Sequence, residues 1–258
     1  MDNLLFEKKG PVGWLTLNRP KQRNALSIDL IKEMQYQLEL VSNDQEIRVL
    51  VINGNGPSFC TGHDMKEMVG AHYELNHFQT LFSACSDMMQ KIHKLPQPVI
   101  AQVHGIATAA GCQLVAACDL AIAESGAKFC TPGVKIGLFC STPMVPLSRV
   151  IGRRRALDML FTGRLVTAKE AQEFGLVNKV VGREKLTEEA ENWANEIAKA
   201  SRYTLSIGKA AFYKQIDQDE ISAYEFAKEV ISKNCIADDA QEGMNAFLEN
   251  RKPKWKHR

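Results

Sequence analysis

The sequence predicts an α/β protein, and three observations carry that prediction. In the first half, β-branched runs bounded by Gly, Pro, Asn or Asp alternate with stretches of helical periodicity. From about residue 144 the texture turns helical. The composition, 45% hydrophobic and 24% charged with 17 Gly and 9 Pro, is that of a globular chain and excludes disorder and collagen. At 258 residues, against roughly 150 for a typical domain, the chain can bury a sizeable core without metal or disulfide help.

The elements follow in order. Val12 to Leu17, Ile47 to Ile52 and Val99 to His104 read as buried strands. Between the first two, Leu26, Leu30, Met34, Leu38 and Val41 recur at helical spacing, with Ser27 placed to cap the start. Between the second and third, Leu75, Phe78, Leu81, Phe82, Cys85, Met88, Met89 and Ile92 mark about five turns of helix that end before Pro96 and Pro98. The small residues of Gly105 to Asp119 let a helix start close to other backbone, and Leu120 to Ala123 reads as a further strand. Later, Leu186, Ala190, Trp193, Ala194, Ile197 and Ala198 form one helix face, and 204 to 214 and 219 to 236 are helical. The expected organisation is an α/β core over residues 1–192 and a helical region over 193–258 that ends in a basic tail, a solvated end or a phosphate contact.

Charge names no partner: 32 Lys+Arg against 30 Asp+Glu leave +2, too little to steer the whole molecule toward nucleic acid or acidic lipid. No apolar run reaches the roughly 20 residues of a membrane span. Seven cysteines at irregular spacing, with no Cys-x-x-Cys pair, fit free thiols in a reducing compartment; with no apolar signal segment near Met1, the expected location is the cytoplasm. Gly54-Asn-Gly56 lacks the third glycine of a dinucleotide fingerprint. His72 and His77 lie about 140° apart on a helix, cannot share a metal from one face, and read as two solvent-facing histidines. Arg153-Arg-Arg155 reads as a solvated turn.

Two backbone-rich segments remain, Ser58-Phe-Cys-Thr-Gly-His-Asp-Met-Lys-Glu67 and Ala107-Thr-Ala-Ala-Gly-Cys-Gln-Leu114. With Leu17 to Pro20, Asn24 to Leu26, Val103 to Gly105, Cys118-Asp119, Leu160 to Ala171 and Gly175 to Asn178, they resemble the crotonase (enoyl-CoA hydratase/isomerase) superfamily over nearly the whole chain. A finer likeness to one subgroup rests on Ala109 to Val115, Thr131 to Val134 and Gly137 to Pro143.

The resemblance implies a spiral of β-β-α turns, C-terminal helices that assemble a homotrimer or dimer of trimers, and an acyl-CoA substrate with no resident cofactor or metal. It implies that the backbone N–H groups of His63 and Ala110 point at the thioester oxygen, where such donors stabilise a developing oxyanion by roughly 3 to 4 kcal/mol each. Ala110 opening a helix adds the positive dipole end. It further places Asp64, Met65 and Lys66 along the CoA, with the Lys66 ammonium toward phosphate, and Arg19 and Ala25 near the nucleotide. Hydratases of this family use two glutamates. Here the corresponding positions hold Gln113 and Gly133, and a third acid position of some isomerases falls near Ser141. An amide orients water or substrate but exchanges no proton near neutral pH, so Gln113 is no general base. His63 is the candidate substitute, since imidazole titrates near neutrality. Cys112 and Cys140 neighbour the expected pocket as packing residues. Two function classes therefore stay open: an acyl-CoA enzyme that relies on enolate stabilisation, and a noncatalytic acyl-CoA binding or scaffolding protein. RNA association has the weakest support.

Overall fold

The computed structural model describes residues 3–70 and 72–258. The chain opens on a hairpin in which β1 (Leu4–Lys9) runs antiparallel to β2 (Val12–Leu17). α1 (Ile28–Asn43) starts where Ser27 Oγ accepts the Leu30 N–H at 3.2 Å, and it buries Leu30, Ile31, Met34, Leu38 and Val41. β3 (Val49–Gly54) begins two residues after Ile47, and α2 (Met65–Gly70) is short. α3 (Leu75–Lys94) buries the expected face except at its start, where Leu75 is 71% exposed. β4 (Val99–Val103), β5 (Ile106–Thr108), α4 (Ala110–Ala117), β6 (Leu120–Glu124) and β7 (Lys128–Cys130) complete the first half. α5 (Met144–Ile151), α6 (Arg153–Thr162), β8 (Val166–Thr167), α7 (Ala168–Phe174) and β9 (Lys179–Val181) follow, then α8 (Leu186–Ile197), α9 (Arg202–Gln215), α10 (Glu220–Cys235) and α11 (Asp238–Leu248).

Two sheets organise the core. The larger has the order β1-β2-β3-β4-β6-β9 and is parallel beyond the first hairpin; the smaller is β5-β7-β8. Each turn of chain places one strand in the large sheet and, a few residues later, a second in the small one: β4 leads to β5 and β6 to β7. Isolated bridges Cys60–Ala107 and Leu26–His63 extend the small sheet toward the N-terminal turns. The spiral therefore stacks the two backbone-rich segments on neighbouring rungs. α8 covers the other face of the large sheet, packing Leu186, Ala190 and Ala194 with Trp14, Val49, Val51 and Ile122. It runs unbroken through residues 192 and 193, where the sequence placed its division.

Two expectations about charged segments need correction. The charged side chains of the basic tail are exposed as expected, but its backbone is fastened to the core. The buried Asp239 carboxylate accepts Ser201 Oγ at 2.5 Å and the backbone N–H groups of Lys256 at 2.6 Å and His257 at 2.8 Å, while Trp255 Nε1 donates to the Lys199 carbonyl at 2.8 Å. A buried carboxylate needs donors, and the tail supplies them. His77 is not solvent-facing: its Nε2 is buried and its ring packs edge-on against Phe78.

The C-terminal helices dock through one buried polar cluster. Lys209 Nζ on α9 pairs with Asp119 Oδ2 at 2.7 Å and donates to the carbonyls of Ile92 at 2.8 Å and Gln97 at 2.9 Å. Tyr213 Oη donates to Asp119 Oδ1 at 2.8 Å, and the Val99 N–H donates to Oδ2 at 2.6 Å. One carboxylate thus ties α9 to the end of α3 and the start of β4.

Candidate functional site

The site is built from the two rungs. The Cys60 N–H donates to the Ile106 carbonyl at 3.2 Å, the Thr108 N–H returns to the Cys60 carbonyl at 3.0 Å, and Thr108 Oγ1 donates to the Thr61 carbonyl at 3.0 Å. On the far side, the Leu26 N–H donates to the Gly62 carbonyl at 2.7 Å and the Asp64 N–H to the Leu26 carbonyl at 3.0 Å. That parallel pattern spends the groups of residues 62 and 64 on Leu26 and turns the His63 N–H the opposite way, toward the next rung.

The second donor comes from strain. Ala109 has φ 50° and ψ −120°, a conformation that disfavours any Cβ, and it is held there by its N–H donating to the Cys130 carbonyl at 2.9 Å. The turn makes Ala110 the first residue of α4, whose N–H has no partner within the helix. Among the described residues, neither the His63 nor the Ala110 N–H has an acceptor. Two unspent N–H groups thus lie on adjacent rungs, one of them at a helix N-terminus.

Glycines set how closely these rungs approach. A Cβ at Gly111 would lie 2.0 Å from the Cys60 carbonyl oxygen, and one at Gly62, where φ is +92°, would lie 2.9 Å from the Ala109 Cβ. Gly111→Ala is therefore expected to push α4 off its neighbouring rung, at a cost of about 3 kcal/mol from overpacking. A lowered urea midpoint, together with lost acyl-CoA affinity, is the readout.

The remaining sequence-derived residues fall into three groups. Arg19 Nη2 pairs with Asp64 Oδ2 at 2.9 Å and Nη1 donates to the Ala25 carbonyl, so this guanidinium is spent inside the protein, fastening the loop that carries Ala25 to the rung that carries His63. Those hydrogen bonds hold the Asp64 carboxyl below its usual range against the opposing effect of burial. Lys66 and Met65 are exposed at the start of α2, and the Lys66 N–H donates to Asp64 Oδ1 at 3.1 Å. Lys21 and Arg23 are exposed on the neighbouring loop. Sequence reasoning did not single out Glu67, whose carboxylate accepts the Ile28 N–H at 3.0 Å and fixes α2 to the start of α1.

His63 does not behave as the sequence suggested. Both ring nitrogens are sealed from solvent without a hydrogen-bond partner, and the ring packs edge-on against Phe82 at 5.2 Å. Burial pushes its pKa down to about 4. The imidazole is neutral at physiological pH and turned into the core, while its backbone faces the other rung.

Gln113 lies on α4 with 3% exposure, and its Oε1 is buried without a donor. Gly133 follows β7, whose Cys130 pairs with Thr108 of β5. A Cβ at Gly133 would lie 2.8 Å from the Leu138 carbonyl oxygen and 2.9 Å from Cys140 Sγ. Position 133 is thus crowded against any side chain in this backbone, by the Leu138 carbonyl and the Cys140 thiol. No group of three or more His, Cys, Asp or Glu among the described residues could hold a metal ion.

Comparison with known proteins bears on this geometry. The family model for enoyl-CoA hydratase/isomerase matches residues 7–258. Enoyl-CoA hydratase domain-containing protein 3, mitochondrial, of Homo sapiens is 46% identical over 246 residues, covering 94% of this chain and 80% of that protein. The Rattus norvegicus protein of the same name is 45% identical over 243 residues, covering 94% and 81%. The crystal structure of enoyl-CoA hydratase from Mycobacterium smegmatis superposes with a TM-score of 0.96 at 45% identity, covering 99% of each chain. That of human enoyl Coenzyme A hydratase domain-containing protein 3 gives 0.95 at 42%, covering 98% of this chain and 100% of the other. The subgroup indicated by Ala109 to Val115 and Thr131 to Val134 is the one these relatives represent, and the fold is the crotonase spiral. The expected cytoplasmic location is overturned, because the human and rat relatives named above are mitochondrial proteins. Free thiols report only a reducing surrounding, so they did not single out the cytoplasm. With a family model spanning nearly its whole length and the same spiral in its solved relatives, this chain belongs to the enoyl-CoA hydratase/isomerase family.

Proposed function

We propose that this protein binds acyl-CoA thioesters and polarises the thioester carbonyl between the His63 and Ala110 N–H groups, without hydrating enoyl-CoA at hydratase rates. The observation that carries the reading is the pair of unspent N–H groups on adjacent rungs, beside positions 113 and 133 that offer an amide and no side chain. Lys66, with Lys21 and Arg23, supplies exposed cations for the CoA phosphates, whereas Arg19 serves the scaffold. A reaction that needs mainly enolate stabilisation, such as isomerisation, decarboxylation or thioester cleavage, fits this set. General acid–base groups contribute about 10²- to 10⁴-fold each, and both expected carboxylates are absent.

The test pairs calorimetry with butyryl-CoA and the loss of conjugated-thioester absorbance with crotonyl-CoA. Binding with hydration at least about 10⁴-fold below an ordinary hydratase is the expected result. Ordinary hydratase turnover overturns it. Binding without turnover across a panel of acyl-CoA thioesters favours the noncatalytic reading.

We also propose a trimer or dimer of trimers assembled through the region that begins at α9. α10 has 16 residues and buries none of them, and Ile221, Tyr224 and Ile231 are 78%, 70% and 58% exposed. Phe247 and Leu248 of α11 add to this apolar surface. A helix with so much exposed apolar surface needs a partner. Sedimentation equilibrium at three or six chain masses is expected, and a monomer contradicts it.

A further inference from the structure

We propose that Arg19 and Asp64 are a positioning pair that aims the His63 N–H at the thioester oxygen, and that Arg19 contacts no part of the CoA. The inference rests on the thioester site proposed above. Leu26 and His63 meet in an isolated bridge, closed by the Leu26 N–H to the Gly62 carbonyl at 2.7 Å and the Asp64 N–H to the Leu26 carbonyl at 3.0 Å. Gly62, at φ +92°, precedes His63, and α2 starts two residues after it. Two hydrogen bonds beside a glycine hold the peptide plane of residue 63 only weakly.

The guanidinium supplies the missing constraint. Arg19 Nη2 pairs with Asp64 Oδ2 at 2.9 Å while Nη1 donates to the Ala25 carbonyl. Ala25 precedes Leu26 and Asp64 follows His63, so one planar group clips the two sides of the bridge together. Asp64 Oδ1 also accepts the Lys66 N–H at 3.1 Å, which ties the clip to the first turn of α2. The clip stands on a fixed base. The Arg19 N–H donates to Asn24 Oδ1 at 2.9 Å, and the buried Asn24 amide donates to the carbonyls of Asn55 at 2.9 Å and Ser58 at 2.8 Å, at the start of the segment that carries His63.

The Arg19 and Asp64 side chains are 15% and 14% exposed, so solvent competes little with this charge-assisted, two-pronged contact. Lysine, a point charge, does not span both acceptors in one fixed geometry. The pair touches no reacting atom and acts through the backbone. A donor stabilises charge on the carbonyl oxygen only if it is held in place before that charge develops, and a misplacement of about 1 Å costs on the order of 10²-fold in rate.

Calorimetry and the stretch of a ¹³C-labelled butyryl-CoA carbonyl test this together in Arg19→Met, Arg19→Lys and Asp64→Asn. Free CoA, which has no acyl carbonyl, should bind Arg19→Met as tightly as wild type, while at least about half of the carbonyl shift of the wild-type complex is lost. Arg19→Lys should recover only part of that shift. Asp64→Asn keeps the shape and loses the charge, so its shift should fall between those of wild type and Arg19→Met, and it carries the test if Arg19→Met does not fold. The double variant Arg19→Met with Asp64→Asn should lose no more than Arg19→Met alone, because the two side chains act as one unit. A fall in CoA affinity of about tenfold or more with the shift unchanged makes Arg19 a CoA ligand and overturns the proposal. Folded variants with both quantities unchanged overturn it too, leaving the pair a structural tie and the thioester site standing. A wild-type band at its solution position removes the thioester site and the role of the pair with it.

Discussion

Lys209→Met is expected to destabilise the protein by about 3 to 5 kcal/mol, the cost of leaving a buried charge without its partner. Lys209 is 6% exposed and Asp119 15% exposed, so solvent screens neither. Methionine keeps the length and apolar stem of lysine but removes the ammonium that binds Asp119 and two carbonyls, those of Ile92 and Gln97. Asp119 retains Tyr213 and the Val99 N–H, which places the loss toward the lower end of that range. Adding Asp119→Asn removes the stranded charge and should recover part of the loss. Urea unfolding of both variants measures it. A midpoint unchanged in Lys209→Met contradicts the view that this cluster docks α9, and with it the assembly helices, onto the core.

The second large effect concerns pH and His63. Its folded-state pKa, about 4, lies below the ordinary value near 6.5, because burial disfavours the imidazolium. Between those values the unfolded chain binds more protons at this position than the folded one. Stability from this residue is therefore complete above pH 6.5 and is lost as pH falls toward 4, a change on the order of 3 kcal/mol. His63→Leu, which keeps an apolar side chain against Phe82, should flatten that part of the stability profile. The other buried histidines, His93 and His104, are shifted the same way and remain in both proteins, so the difference isolates His63. The same variant separates backbone from ring: butyryl-CoA affinity at pH 7 should change less than about threefold, because the donor is the N–H and not the imidazole. A large loss of affinity in a folded His63→Leu protein contradicts that assignment.

Much of the fold was legible because burial imposes period. β2, α1, α3 and α8 announce themselves through apolar spacing that their packing then uses, and Ser27 caps α1 as its side chain requires. β5, β7 and β8 went unread because two or three residues are too few to show alternation, and β1 because an edge strand with five exposed residues shows no buried face. α11 begins on Asp238-Asp239, one half-buried and one buried, both bound to the tail, which hides its period. The tail itself misled, since its charges suggested solvent and its backbone N–H groups were what mattered.

The site was legible only by resemblance. Its donors are backbone N–H groups, and nothing in the letters at 63 and 110 records which way an amide points; the φ of 50° at Ala109 is invisible in an alanine. The inward turn of the His63 ring follows from Phe82 on α3, nineteen residues away and brought close only by the fold. The crowding of position 133 depends on through-space contacts with the Leu138 carbonyl and Cys140. The sequence showed that the two carboxylates are missing; the structure adds that the backbone at the second position leaves little room for a Cβ.

The pair of N–H groups is the centre of this account, and difference infrared spectroscopy of butyryl-CoA labelled with ¹³C at the thioester carbonyl addresses it without turnover. Hydrogen bonds to that oxygen weaken the carbonyl bond, so binding should move its stretch to lower wavenumber, with the shift lost in Gly111→Ala protein that still folds. A carbonyl band that keeps its solution position in the bound state would contradict the assignment of His63 and Ala110 as its donors.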